Sequence, residues 1–150
     1  MTTAAISQRL PGSLTHWPGY LLTLIAEHAT DRFERAVAAH GIRSRHASVL
    51  VVIDAEGPMS QRALGRRLRI DKSPMVGVLD DLERLGMAER RRSDSDRRIQ
   101  AIHLTEKGRR VLGDVTASAD AENARTFAVL DDAERDQLQA LLLRVAEATP

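Results

Sequence analysis

The stretch SQRALGRRLRIDKSPMVGVLDDLERLG, residues 60–86, decides the fold. Ser60 is a suitable N-cap for a short helix over 61–68, and a second helix start follows within a few residues at 71–74. Apolar residues then recur at helical spacing until Gly86, which is typical of a helix end. Two helices joined by so short a connection predict a helix-turn-helix.

The second of these helices has two chemically different faces. Its predicted buried stripe consists of Met75, Val78, Leu79, Leu82 and Leu85. The opposite face presents Ser73, Val76, Gly77, Asp80 and Arg84, with Lys72 at its start. In a helix-turn-helix this face meets the base edges of the major groove, so we expect these polar and small residues to contact DNA. Gly77 in a helix interior indicates either a close approach to DNA or a tolerated substitution.

Helical periodicity continues on both sides of this pair. Upstream, one helix is predicted from Pro18 to near Gly41, with an apolar stripe along it, and another from Ser44 to Gly57. Downstream, the segments 87–92 and 99–104 flank a polar tip and predict a β-hairpin. A long helix should then begin at Thr105 and end near Phe127, and 131–134 resembles a capping box before a last helix. The predicted class is mainly α with a small β-hairpin.

Composition excludes several classes of protein. The chain has 150 residues, of which 43% are hydrophobic and 29% are charged, so it is expected to form one folded domain. It contains no cysteine, which rules out disulfides, thiol catalysis and cysteine redox sensing. No apolar run approaches the ~20 residues of a membrane span, and no signal peptide is visible at the N-terminus. We therefore expect a cytoplasmic protein.

The net charge of +1 conceals an uneven distribution. Residues 60–110 contain 14 basic and 8 acidic residues, a net charge of +6, whereas the rest of the chain has 8 basic and 13 acidic residues and carries −5. A basic region within an acidic frame suits phosphate binding, because neutralising phosphates releases counterions from DNA. A solvated basic face is the alternative, but its coincidence with two short helices and a basic hairpin favours DNA.

The hairpin is the most basic element. Its arginines flank a tip that contains Asp94 and Asp96, and one of them could enter a narrow minor groove, with Asp96 as its brace. An ordinary charged edge strand is the alternative. The full set of predicted DNA contacts is Ser60, Gln61, Lys72, Ser73, Val76, Gly77, Arg84, Arg90, Arg92, Asp96, Arg97 and Arg98.

A ligand site is suggested by fewer residues. His16, Trp17 and Tyr20 cluster at the start of the first helix, and His46 lies nearby in sequence. A histidine beside an aromatic ring suits a phenolic or anionic ligand, although packing and capping explain these residues more simply. No metal, cofactor or catalytic motif is present, so neither a cofactor nor an enzymatic activity is expected.

The chain from about Ile42 to Arg110 resembles the MarR family of winged-helix transcriptional regulators. The segments that carry the resemblance are ALGRRL (63–68), DKS (71–73), LDDLERLG (79–86), RRR (90–92), DRR (96–98) and LTEKG (104–108). The flanking helices, with LDDAER (130–135) before the last, fit the same pattern. The resemblance therefore covers nearly everything after the N-terminal arm.

The resemblance implies more than the spacing of residues does. Members of the family are homodimers whose first and last helices interlock, bind inverted-repeat operators, usually repress, and often release DNA when a small anionic or phenolic ligand binds. It also implies that Asp96 and Arg98, with Arg97 beside them, enter the minor groove from the wing tip. Val76 and Gly77 stand where many members have Thr-Arg, so the operator cannot be inferred from theirs.

The sequence thus predicts a homodimeric, sequence-specific DNA-binding regulator with four parts. These are a flexible arm (1–13), a dimerisation helix (14–41), a winged helix-turn-helix (42–104) and C-terminal dimerisation helices (105–150). The alternative is a non-enzymatic helical module whose basic face binds an acidic partner or non-specific DNA. Apart from DNA and a second copy, a small effector is the predicted partner.

Overall fold

The computed structural model describes residues 12–92 and 100–149. Along the chain the elements are α1 (Pro18–Ala38), α2 (Ser44–Glu56), β1 (Met59–Ser60), α3 (Gln61–Leu68), α4 (Lys72–Arg84), β2 (Ala88–Arg92), β3 (Gln100–Leu104), α5 (Glu106–Thr126) and α6 (Asp132–Ala148). The predicted class is confirmed, and each predicted helix is present within a few residues of its predicted bounds. Most of the predicted arm, and the predicted wing tip with Asp96, Arg97 and Arg98, lie outside the described residues.

Side-chain caps fix where several helices begin. The hydroxyl of Ser60 accepts the Ala63 N–H at 3.2 Å and starts α3, as predicted. Before α6, Asp131 and Glu134 each accept the other's backbone N–H at 2.9 Å, which is the predicted capping box. These bonds satisfy backbone donors that have no partner within the helix, so they define the first turn.

The sheet has one strand more than the sequence predicted. Strands β2 and β3 pair antiparallel from Ala88 opposite Leu104 to Arg92 opposite Gln100, which confirms the hairpin. The short strand β1 pairs with the other side of β3 and completes a three-stranded sheet in the order β1-β3-β2. Sequence analysis missed β1 because two residues are too few to show the alternation that marks a strand.

The hydrophobic core lies in the middle of the chain. The side chains of Leu50, Leu64, Leu79 and Ile102 come from α2, α3, α4 and β3, and each is at most 1% exposed. Four of the five residues in the predicted stripe of α4 are buried, and Leu85 packs partly buried against them. The outward face of α4 is therefore held in place by the well-packed side beneath it.

The start of α5 is joined tightly to the loop after α4. The Thr105 hydroxyl donates to the carbonyl oxygen of Gly86 at 2.7 Å, and the Thr105 N–H donates to that of Met87 at 3.1 Å. At Gly108, an added Cβ would lie 2.0 Å from the Met87 oxygen. Only glycine allows this approach of helix to backbone, so the contact fixes α5 against the winged-helix core.

Helices α1 and α6 contribute little to this core. In α1 only Val37 is buried, although the predicted stripe runs the length of the helix, and no residue of α6 is buried. Their large apolar side chains are instead exposed, and we call these residues the terminal apolar surface: Leu22, Ile25, Leu141, Leu143 and Val145. No helix of the described chain is both long enough and apolar enough to cross a membrane.

Candidate nucleic-acid interface

The exposed face of α4 is the one that the sequence predicted. Ser73, Val76, Gly77, Asp80 and Arg84 are all exposed, and Val76 shows 37% of its surface. A Cβ on Gly77 would meet no other atom within 4 Å. Packing within the chain therefore does not require glycine at this position, and the close-approach interpretation of Gly77 depends on what binds the face.

Residues at the edge of this face differ in their accessibility. Lys72 is exposed in the first turn of α4, whereas Ser60 and Gln61 are partly buried at the junction of β1 and α3. The Ser60 oxygen already accepts the capping N–H of Ala63, but its hydroxyl proton can still be donated. Ser60 can therefore serve both the helix start and an external acceptor.

Arg90, a predicted DNA contact, is held within the protein. Its guanidinium binds Glu83 through one nitrogen and Asp80 through the other, the latter at 2.9 Å. Its backbone N–H also donates to Glu83, at 2.9 Å, and the side chain is only 24% exposed. These bonds connect α4 to the base of the β2–β3 hairpin, which is the wing. The contacts of Arg90 therefore indicate that it positions the wing.

Arg92 and Arg91 lie further along the same strand. Arg92 is exposed and forms no ion pair with the described residues, whereas Arg91 pairs with Glu89. Arg92 is therefore the arginine of β2 whose charge is available to an external phosphate. The sequence alone could not distinguish Arg90, Arg91 and Arg92, because they are three consecutive arginines.

A second network connects α4 to the start of α2. The Arg84 guanidinium donates to Asp81 at 2.8 Å, and the Nε2 of His46 lies 3.4 Å from the other carboxylate oxygen. The Arg43 N–H donates to Nδ1 of His46 at 3.0 Å, which leaves the ring proton on Nε2, facing Asp81. Hydrogen bonds from Arg84 and then from His46 lower the pKa of Asp81 below its ordinary value of 3.8.

A basic concavity between α3 and α4 was missed as a group by the sequence analysis. It is an open hollow of about 890 Å³, and its charged lining consists of Arg62, Arg66, Arg69, Lys72 and Asp71. Of these five charged residues only Lys72 was predicted as a contact, together with Gln61, which also lines the hollow. The spacing of Arg62 and Arg66 on α3, with Arg69 directly after the end of the helix, could have revealed the cluster, since residues four apart share one face of a helix.

The predicted ligand residues do not form one site. The rings of His16 and Trp17 lie 4.6 Å apart beside the start of α1, where Trp17 is 55% exposed and Tyr20 is partly buried. His46 is buried and caps α2 through its bond from Arg43. It borders a separate cleft of about 550 Å³ between α1, α2 and α4, whose lining includes none of the other three.

This cleft is lined by residues of both signs. Arg43, Arg45 and His46 line it from the start of α2, Glu34 from α1, and Asp81 from α4. Glu34 accepts the backbone N–H of Ser44 at 3.2 Å, so its carboxylate is already used in holding α1 to α2. Across the described residues no group of histidine and carboxylate side chains could hold a metal ion.

Comparison with known proteins gives consistent matches. The sequence model of the MarR family matches residues 40–99. CouR from Rhodococcus jostii RHA1, solved with p-coumaroyl-CoA, is 31% identical over 93% of this chain and 99% of that chain, with a TM-score of 0.81. A MarR-family transcriptional regulator from Rhodococcus sp. RHA1 is 30% identical over 93% of this chain and all of that chain (100%), with a TM-score of 0.81.

Two further matches concern DNA and gene regulation. The transcriptional repressor CouR has also been solved bound to a 23-mer DNA duplex. That CouR chain is 31% identical in sequence to this chain, over 90% of this chain and 96% of its own length, with a TM-score of 0.81. A putative transcriptional regulatory protein for the hcr operon of Thauera aromatica is 29% identical over 93% of this chain and 85% of its own length. These matches are transcriptional regulators and not enzymes, as the sequence predicted.

Proposed function

The chain belongs to the MarR family of DNA-binding transcriptional regulators, and we propose that it is a homodimeric repressor that releases its operator when a small ligand binds. The observation that carries the proposal is a division of surfaces within one chain. The winged helix exposes a basic face beside α4, while α1 and α6 expose the terminal apolar surface. One surface suits DNA and the other suits a second copy of the chain.

The exposure of α6 favours a dimer. This helix buries no residue, and Leu143 and Val145 are 53% and 59% exposed. A 17-residue amphipathic helix in this state gains little from tertiary packing, which is the main source of helix stability in proteins. Burial against the same helices of a second copy would supply that packing.

A two-fold dimer has a consequence for the operator. It presents two copies of α4, related by the same axis, to successive turns of the major groove about 34 Å apart. The operator would then be an inverted repeat. Within each half-site we assign base contacts to Ser73 and Val76, and phosphate contacts to Ser60, Gln61, Lys72 and Arg92. The minor-groove contacts proposed for Asp96, Arg97 and Arg98 lie outside the described residues.

Repression is supported by the DNA-bound relative, which is a transcriptional repressor. A dimer seated on promoter DNA would exclude polymerase without any further activity. The helical interaction module, the alternative predicted from the sequence, could use the basic concavity for an acidic partner, but it leaves the exposed face of α4 without a role.

The first experiment titrates the protein against DNA from upstream of its own gene and against a scrambled duplex. Sedimentation velocity measures the mass of the free and bound protein, and each titration is run at two salt concentrations. We expect two chains per duplex and at least a thousandfold preference for the upstream sequence. Equal affinity for both duplexes, or one chain per duplex, would contradict the proposed repressor.

A ligand-responsive site is best supported at the cleft between α1, α2 and α4. The cleft adjoins Gly77 and Asp81 of α4, which we call the recognition helix, so a bound molecule would contact this helix directly. Arg45 is exposed, and no described residue forms an ion pair with it, so its guanidinium can bind an anionic group. A relative binds p-coumaroyl-CoA, an anionic phenolic thioester, and we propose an effector of that class.

The ligand proposal is tested on the protein–DNA complex. p-Coumaroyl-CoA, p-coumarate and coenzyme A are each titrated into the complex, and release of DNA is followed by fluorescence anisotropy. Arg45→Ala should raise the concentration needed for release by about tenfold, whereas Arg144→Ala on α6 should not change it. If Arg45→Ala and the wild type release DNA at the same effector concentration, the effector does not bind at this cleft.

A further inference from the structure

The turn between α3 and α4 holds a charged residue in a backbone conformation that favours glycine. Arg69 has φ 52° and ψ 41°, whereas every other positive φ among the described residues belongs to a glycine. The Ile70 N–H donates to the Gly65 oxygen at 2.9 Å, and the Arg69 N–H donates to the Arg66 oxygen at 3.4 Å. This is a Schellman motif, and Arg69 occupies the position where helices most often have glycine.

The conformation is costly for arginine. In the left-handed region the Cβ of an L-residue crowds the backbone, a clash that glycine avoids. Arg69 is exposed, and no described residue forms an ion pair with its guanidinium, so no ion pair within the described protein offsets this cost. Strained backbone conformations of this kind cluster at active sites and ligand-binding sites.

Arg69 belongs to the basic concavity. Arg62, Arg66 and Lys72 line the same hollow, all four cations are exposed, and Asp71 supplies the one carboxylate in the lining. None of the four forms an ion pair within the described residues. Four like charges around one hollow repel each other, and that repulsion is removed when an anion with several charges binds between them.

Arg67 shows that this arrangement is specific to one side of α3. Its guanidinium donates to Glu56 of α2 at 2.7 Å, on the side away from the concavity. Arginines of one short helix are thus divided between a paired side, which faces α2, and an unpaired side, which faces the concavity. The unpaired side lies next to the first turn of the recognition helix.

We propose that Arg69 is a specific phosphate-binding residue and, with Arg62, Arg66 and Lys72, forms a clamp for the DNA backbone beside α4. The left-handed turn places the Arg69 side chain on the rim of the concavity, where it completes the cluster. This inference rests on the DNA-binding function of the chain and adds a group of contacts to it. The clamp reads no bases, so it strengthens binding to every sequence equally.

The test uses the purified dimer, the upstream and scrambled duplexes, and three variants. Arg69→Gly relieves the strain and removes the charge, Arg69→Lys retains both, and Arg67→Ala removes a charge from the paired side of α3. Thermal unfolding gives Tm, and DNA titration at several salt concentrations gives the affinity and the slope of log K against log salt. Each variant thereby reports on stability and on phosphate contacts separately.

For Arg69→Gly we expect Tm to rise by about 2–4 °C, because the relief of strain exceeds the larger entropy of glycine in the unfolded chain. Affinity should fall by about tenfold for each protomer bound, equally on both duplexes. The salt slope should decrease in magnitude by about one for each protomer. Arg69→Lys should retain the wild-type slope, and Arg67→Ala should leave the slope unchanged.

Two results would overturn the clamp. One is a Tm that falls in Arg69→Gly, since the turn would then not be strained by arginine. The other is a wild-type slope and affinity in Arg69→Gly while the wild-type protein binds DNA normally. Failure of the wild-type protein to bind either duplex would instead contradict its function in DNA binding, so the two failures are distinguishable.

Discussion

The winged helix and the terminal helices bury their apolar residues in opposite ways. Between Val37 and Val115 the chain encloses a continuous core, with Leu50, Leu64 and Leu79 fully buried. By contrast, α6 has no buried residue, and Val37 is the one residue that α1 contributes to this core. The difference indicates that the winged helix is stable through its own contacts, whereas α1 and α6 gain little from contacts within the chain, which is what the proposed dimer would supply.

The largest effect should come from the core of the winged helix. Leu79→Ala removes a fully buried side chain and should lower the free energy of unfolding by about 3 kcal/mol. Urea denaturation at two protein concentrations measures the loss, which we expect to be the same at both. Val51 on α2 is 45% exposed, and Val51→Ala, as the control, should change stability by less than about 0.5 kcal/mol. A loss of stability in Leu79→Ala as small as that in Val51→Ala would contradict a winged helix that is stabilised by its own core.

The next effect should come from the terminal apolar surface. Leu143→Asp places a charge on α6 where we propose that a second copy packs, and it should weaken dimerisation by about 2 kcal/mol, or roughly 30-fold. Sedimentation equilibrium measures the dissociation constant. Asp136→Ala, on an exposed position of the same helix, is the control and should leave the constant unchanged. If Leu143→Asp remains a dimer of wild-type affinity, then α6 does not form the interface.

Within the winged helix, paired and unpaired arginines should behave differently. Arg90→Ala breaks the bonds to Glu83 and Asp80 and should cost about 1 kcal/mol of stability. Arg92→Ala should leave Tm unchanged and should instead reduce the salt slope of DNA binding by about one for each protomer. Equal effects of the two substitutions on Tm and on the slope would contradict the division between positioning and contact residues.

The smallest effect concerns the acid side of stability. Because Arg84 and His46 lower the pKa of Asp81 in the folded chain, this carboxylate contributes stability above its ordinary pKa of 3.8, and the contribution is lost as the pH falls through the lowered value. NMR titration of the Asp81 carboxyl measures the shift directly. In Arg84→Ala the pKa of Asp81 should move upward, towards 3.8. An unchanged pKa of Asp81 in Arg84→Ala would show that Arg84 does not lower it.

What the sequence could predict depended on whether the signal was local. Caps such as Ser60 and the Asp131–Glu134 pair lie within one helical turn of the groups they bind, so the helix starts were predictable. The strand β1 was not, because its partner Ile102 lies more than 40 residues away. The same limit applies to Arg90, which looks like any other basic residue until the fold brings Asp80 and Glu83 to it.

The predicted interface shows the same division. The exposed face of α4 followed from helical periodicity alone, since each buried residue implies an exposed one on the opposite side. The basic concavity required the angle between α3 and α4, which no local pattern specifies. Arg69 carried a local signal, because it follows the last apolar residue of a helix where glycine is usual, but its purpose became visible only beside Arg62 and Lys72.

The contact of Gly108 with Met87 has a mechanical consequence for regulation. Two backbones meet there without a side chain between them, so no rotamer can change to absorb a displacement. Any tilt of α5 must therefore carry the first strand of the wing and the end of the recognition helix with it as a lever. In the proposed dimer, the distance between the two recognition helices would then be set by the angle at which the two α5 levers cross.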